Sequence, residues 1–266
     1  LVALPGPPAE LQPMVKRHLI PRLRRYASKG VIHSRTLKLT GVMESEVDSK
    51  VRDLLALEGG VTVGIYAHPA QVDLRITARA DSLPAAQRRI TQIEAKIRRR
   101  FKHLIYGADD ETLEGIAGKL LRRSRRTLAV AESCTGGLVG HRITQVPGSS
   151  DYFRGGVVAY ADAVKEAVLG VPSSTLRRQG AVSPQIARAM ADGIRKLTGS
   201  DLGLAITGIA GPAGGSKTKP VGLVYLGLAT PQGTQVQRHQ FSGDRSTVKF
   251  KASQAALDLV RWFLLC

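Results

Sequence analysis

Apolar and polar residues alternate along "RTLKLTGV" (35–42), "VTVGIYAH" (61–68) and "QVDLRITAR" (71–79). That period of two marks strands with one buried face. A short turn at Pro69 joins the last two and predicts a hairpin. Elsewhere the period becomes that of a helix. Val47, Val51, Leu54 and Leu55 recur on one face of "MESEVDSKVRDLLAL", and Ile90, Ile93, Ile97 and Phe101 on one face of "SLPAAQRRITQIEAKIRRRF". The order β-α-β-β-α over residues 33–106 predicts a small two-layer α+β unit, and "YGADDET" reads as a polar boundary after it.

Beyond that boundary strands and helices alternate. "ETLEGIAGKLLRRS" is an amphipathic helix, "RTLAVAE" a short apolar strand, and "GGLVGHRITQV" a helix with Leu138, Val139, Ile143 and Val146 at helical spacing. "GGVVAY" predicts a strand, "DAVKEAVLG" a helix stopped by Gly170, and "SSTLRRQG" a short helical turn. In "SPQIARAMADGIRKLTG" Ser183 is placed to cap, Pro184 stands at the first helical position and Gly199 lies past the end. "DLGLAIT" predicts a buried strand, "VGLVYLGLAT" and "TQVQRHQF" a hairpin across "PQG", and a last helix starts at Asp244 with Val248, Ala252, Ala255, Leu259 and Phe263 inward. The whole is an α/β chain. Residues 107–266 predict a three-layer α/β/α sandwich on a mixed sheet. The chain opens with an apolar run, "LVAL", that reads as a strand, then a Pro/Gly turn and a helix with Leu11, Met14, Val15 and Leu19 on one face.

Composition narrows the class. The 266 residues carry 43% hydrophobic residues, with no apolar run of membrane-spanning length and no secretory leader pattern. The expectation is a cytoplasmic protein. Two cysteines, Cys134 and Cys266, cannot build a disulfide framework, and the six histidines show no metal-ligand spacing, so neither a metal nor a cofactor is expected. A formal net charge of +18 favours anionic partners, phosphorylated metabolites and nucleic acid among them, and serves solubility equally well.

Three loops follow predicted strands: 133–137, 160–165 and 207–215. In open α/β sheets ligands collect at strand ends, so these predict one shared pocket. In the first loop Ser133 could attack an acyl carbon with following backbone N–H groups as an oxyanion hole. A serine there is more often an N-cap, Cys134 is a competing nucleophile or a small buried residue, and Thr135 is the more natural cap. The N–H groups of this helix start could also bind an anion. No histidine stands near a strand end with an acidic partner, which argues against a Ser-His-Asp arrangement. Lys165 and Tyr160 are the better proton acceptors, since a lysine desolvated in a pocket can act as a base, although a helical lysine is more often solvated. "TGIAGPAGG" lets backbone N–H groups converge on an anion, with Thr207 at the strand tip; it is neither a Walker loop nor G-x-G-x-x-G. Arg245, in the first turn after Asp244, can grip a phosphate.

Together "VAESCTGG", "GGVVAYADAVKEAVLGV", "GAVSPQIARAMADG", "AITGIAGPAGG", "KPVGLVYLGLA" and "FSGDRSTV" resemble the C-terminal domain of the competence/damage-inducible CinA family over residues 108–266. The resemblance implies a nicotinamide mononucleotide amidohydrolase of pyridine nucleotide recycling, which gives nicotinic acid mononucleotide and ammonia. It implies Ser133 as nucleophile with Tyr160, Lys165 and Thr207 around it. As substrate-binding residues it implies Cys134, Thr135, Gly136, Gly137, Gly208, Ala210, Gly211, Pro212 and Arg245, with a homodimer as the assembly. Residues 33–106 resemble the family's KH-like middle part. Residues 1–32 would be the tail of a molybdopterin-binding-like domain whose earlier part is missing, with a connecting helix. The α+β unit lacks a G-x-x-G between two helices, the loop with which KH domains clamp nucleotides. The alternative is a nucleic-acid-binding protein, linked to competence or DNA damage, with a silent C-terminal domain.

Overall fold

The computed structural model describes residues 2–26, 30–57 and 59–265. At the N-terminus residues 2–5 form no strand and are exposed or half-buried, because no strand among the described residues takes up their backbone groups. The helix that follows is broken into α1 (Pro8–Met14) and α2 (Ile20–Tyr26) by a π-helical stretch, Val15–Leu19, in which Ile20 N–H reaches back to the Val15 carbonyl. Pro21, one residue on, has no N–H to continue an α-helical ladder. Neither α1 nor the π-helical stretch has a buried residue, so the expected apolar face of Leu11, Met14, Val15 and Leu19 is not packed away.

The first sheet has the order β2-β3-β1-β4 and is antiparallel throughout. β1 (Val31–Leu39) runs against β3 (Gln71–Ala80) with Leu37 opposite Leu74 and Leu39 opposite Val72, and β2 (Val61–His68) completes the hairpin. The face formed by Leu37, Leu39, Leu74 and Ile76 is covered by α3 (Glu44–Leu55) and α4 (Leu83–Phe101), through Val47, Val51, Leu54, Ile90, Ile93 and Ile97. Ser82 caps α4 by accepting from Ala85 N–H. The fourth strand, β4 (Ile105–Ala108), was not expected. It lies inside the apparent boundary, so the expected break between Tyr106 and Gly107 cuts a strand that pairs with β1 through Leu37–Ala108 and Leu39–Ile105. All four of its residues are buried, which leaves no alternation to read.

The second sheet, β6-β5-β7-β8-β9, is mixed. β5 (Leu128–Glu132) is central to the parallel part, flanked by β6 (Phe153–Val158) and β7 (Leu202–Gly208); β8 (Leu223–Thr230) and β9 (Gly233–Gln240) add an antiparallel hairpin. One face packs large residues, Leu128, Val130, Leu204, Ile206 and Leu226, against α5 (Leu113–Arg123), α6 (Leu138–Thr144) and α10 (Arg245–Leu265). The other presents small ones, Ala129, Ala131 and Ala205, to α7 (Asp162–Leu169), α8 (Ser173–Gln179) and α9 (Pro184–Thr198). The close approach of α9 requires glycine: a Cβ on Gly203 would lie 2.3 Å from the Ala191 carbonyl oxygen, and one on Gly227 2.5 Å from that of Ala187. This is the expected three-layer α/β/α sandwich, and its parallel strands point their C-terminal ends at one edge. Among the described residues no helix is long and apolar enough to cross a membrane.

Candidate active site

β5 ends at Glu132, and the chain turns through residues 133–137 into α6. Glu132 itself holds that turn. Its carboxylate, 1% exposed, accepts from the N–H groups of Gly137 (3.0 Å), Val139 (3.1 Å) and Gly140 (2.8 Å). A carboxylate there satisfies donors that a helix start leaves open and complements the helix dipole. The expected anion site at this helix start is therefore filled by the protein's own side chain. Thr135 is not the cap either: that position is Gly137, at φ +93°, and Thr135 Oγ1 is buried without a partner. An acid five residues ahead of a helix cap is a weak sequence signal, and only the folded turn shows what it binds. Glu132→Ala should cost about 3 kcal/mol, because bonds to a charged acceptor are worth about 1.5–3 kcal/mol each. Calorimetry should show Tm lowered by roughly 6–12 °C.

Ser133 follows directly. Its N–H donates to Ile206 O (2.9 Å), which fastens it to the tip of β7. Its Oγ makes no hydrogen bond among the described residues, and no other described residue accepts from Cys134 N–H or Thr135 N–H. Ser133 and Cys134 open onto a cavity of about 250 Å³ that Tyr160, Lys165, Thr207, Gly208, Ala210, Gly211 and Arg245 also line. Larger hollows of about 620 and 870 Å³ lie elsewhere and hold none of these residues. Thr135, Gly136, Gly137 and Pro212 stand off the cavity wall; the two glycines, both at positive φ, serve the turn.

Lys165 is 1% exposed, so it is not the solvated helical lysine that pattern alone favours. Its ammonium donates to the Tyr160 carbonyl (3.1 Å) and to Asp162 Oδ1 (3.1 Å), and Asp162 lines the same cavity. Sequence reasoning missed Asp162, whose only mark is its i, i+3 spacing from Lys165. Thr207 is fully buried, and its hydroxyl donates a hydrogen bond to the Ala181 carbonyl (2.8 Å). Tyr160 is 59% exposed, and its hydroxyl accepts from Arg245 (2.9 Å). Arg245 also donates to the Gly211 carbonyl (2.8 Å), so its guanidinium braces two walls of the cavity. The N–H groups of Ala210, Gly211, Ala213 and Gly214 have no acceptor among the described residues.

Asp244 fixes the start of α10 by accepting from Thr247 N–H (2.7 Å) and Ser246 Oγ (2.9 Å). These bonds, those from Thr247 foremost, draw its carboxyl down to about 2. A depressed acid stabilises the fold above its ordinary value of 3.8, and that contribution is lost as pH falls towards about 2. Burial acts oppositely on Cys134, pushing its thiol up to about 12. A protonated thiol is a poor nucleophile. Cys134 should resist alkylation at pH 8 when its peptide is mapped. Cys266 lies outside the described residues. Among the described residues no group of three His, Cys, Asp or Glu side chains could hold a metal ion.

Known proteins resemble this chain in both of its parts. Residues 110–264 match the family model of the CinA C-terminal domain, and residues 34–107 that of the damage-inducible protein CinA KH domain. A chain of Moorella thermoacetica named "competence-damage inducible protein" is 49% identical over 97% of this chain and 62% of its own length. A "CinA-like protein" of Dictyoglomus thermophilum is 42% identical over 100% of this chain and 64% of its own. The chain thus spans just under two thirds of the length of these relatives. Among solved structures, a competence-damaged protein (CinA) superfamily protein from Klebsiella pneumoniae 700603 aligns with TM-score 0.56 at 32% identity, covering 57% of this chain and 96% of that one. A competence/damage inducible protein from Agrobacterium tumefaciens aligns with TM-score 0.52 at 36% identity, covering 56% and 96%.

Proposed function

Since the chain belongs to the CinA family through both its KH and its C-terminal domain, we propose that it hydrolyses the carboxamide of nicotinamide mononucleotide, giving nicotinic acid mononucleotide and ammonia through a serine nucleophile. The observation that carries this reading is the unbonded Ser133 Oγ sharing one cavity with a buried lysine at the ends of parallel strands.

Ser133 Oγ attacks the carboxamide carbon, and the Lys165 nitrogen takes the hydroxyl proton. The Cys134 and Thr135 N–H groups are the free donors of the turn and receive the oxyanion. Lys165 returns the proton to the departing nitrogen, which leaves as ammonia. Water then attacks the acyl-serine by the same path, releases the acid and restores Ser133. Tyr160 is the less suited base, because its hydroxyl is engaged by Arg245 and stands towards solvent. The free N–H groups of Ala210, Gly211, Ala213 and Gly214 offer uncharged donors to the remainder of the substrate, and Arg245 its charge to the phosphate.

The test is ammonia release from the purified chain given the mononucleotide after exhaustive chelation. Release that persists without metal supports a serine route, and no nicotinic acid mononucleotide at millimolar substrate overturns the reading. Arg245→Ala should lower kcat/KM by roughly ten- to a hundredfold, the worth of a charge-assisted hydrogen bond. Steady-state kinetics should place that loss on the phosphorylated substrate rather than on nicotinamide riboside.

A further inference from the structure

α4 buries one face against the first sheet and leaves the other to solvent. At about 3.6 residues per turn, Arg88, Arg89, Lys96 and Arg99 fall within about 100° of its circumference, opposite the buried Ile90, Ile93 and Ile97. All four are exposed. At about 1.5 Å per residue the row runs about 16 Å along the helix.

None of the four has a carboxylate partner among the described residues. Arg88 and Lys96 have no hydrogen-bond acceptor there either, while Arg89 donates to the Gly59 and Arg79 carbonyls (3.0 Å each) and Arg99 to the Ala95 carbonyl (3.3 Å). Neighbouring cations are paired: Lys50 with Glu46, Arg52 with Asp48, Arg98 with Glu94 and Arg100 with Asp53. Lys96 reaches Asp53 only through space, and Arg100 already holds that carboxylate by both oxygens. The helix dipole accounts for a cation such as Arg99 near the C-terminal end. It does not account for Arg88 and Arg89, in the N-terminal half of a helix whose first turn carries no acid.

We propose that this face of α4 binds the phosphate backbone of a nucleic-acid duplex through Arg88, Arg89, Lys96 and Arg99. A row of about 16 Å spans four or five phosphates of one strand, at about 3.4 Å of helix axis each. Gln92 and Ala95 stand among the cations, and no aromatic side chain does, so the row offers no platform on which single-stranded bases stack. A lipid surface fits less well, because the apolar residues of α4 are buried in the core and leave nothing to enter a bilayer. The surface stands apart from the amidase reading, since none of the four side chains lines the Ser133 cavity.

The test is fluorescence anisotropy of a labelled duplex of about 20 base pairs, titrated with the full chain over a range of salt. The triple variant Arg88→Ala/Lys96→Ala/Arg99→Ala should weaken binding by at least about a hundredfold at 0.1 M salt. It should also flatten the plot of log Kd against log salt by about 2.7, at about 0.9 per lost phosphate contact. Arg89 is left in place because it holds two carbonyls. Alanine is a good helix former on an exposed face, so Tm should stay within about 2 °C. The control, Arg177→Ala/Arg178→Ala/Lys196→Ala, removes the same charge from exposed positions of α8 and α9 and should weaken binding by less than about threefold. Equal losses in the two triples would reduce the effect to net charge and overturn the surface. So would duplex binding that the α4 triple leaves intact, or none at low salt. Capture by phosphatidylserine vesicles without duplex binding would overturn it in favour of a membrane.

Discussion

If the proposed reaction holds, Ser133→Ala should lower ammonia release to below about one part in ten thousand of the wild-type rate, because deleting a nucleophile removes the step on which the other groups act. The fold should not notice. Ser133 is anchored through its backbone N–H to Ile206, which alanine keeps, and its Oγ bonds to nothing described. Tm should therefore stay within about 2 °C, as for a substitution that removes no packing and no hydrogen bond. A serine-directed fluorophosphonate should label the wild-type chain at Ser133 and leave the variant unlabelled. An active Ser133→Ala beside an inactive Cys134→Ala would transfer the role to the thiol, against the burial that keeps that thiol protonated.

Lys165→Met is the second large effect. Methionine keeps much of the length and apolar body of the side chain and removes the nitrogen. General acid–base catalysis contributes about a hundred- to ten-thousandfold, so kcat should fall by that factor with KM little changed. Stability should be kept or gained, since burying a charge costs free energy that a hydrophobe of similar volume avoids, and Asp162, 58% exposed, stays solvated. Lys165→Arg separates charge from proton transfer. A guanidinium keeps the positive charge but does not deprotonate in proteins, so it should fail to restore the rate. Recovery in Lys165→Arg would make Lys165 an electrostatic group and return the proton to Tyr160.

Most of the architecture is readable because most elements bury one face. β3 alternates along its length, and α4 repeats Ile90, Ile93 and Ile97, since each must hide those positions against the other. β4 escapes for the opposite reason. Its four residues are all buried, and its partner in β1 lies some seventy positions earlier, a pairing that local pattern does not encode. The N-terminal helix misleads differently: an apolar stripe predicts a buried face, and among the described residues the fold buries no residue of α1 or the π-helical stretch.

The sequence by itself determined the α/β alternation, the three strand-end loops and the motifs of the family, because periodicity and glycine placement are local properties. Which of those loop residues share a cavity was decided by the parallel pairing of β5 with β6 and β7, which brings Ser133, Tyr160 and Thr207 to one edge. Tertiary structure also decided the state of the charges. Lys165 is buried beside Asp162, and Glu132 closes the helix start to other anions. Charge and hydrogen-bonding capacity are written residue by residue. Whether they are satisfied depends on which distant backbone and side-chain groups the fold brings within about 3 Å.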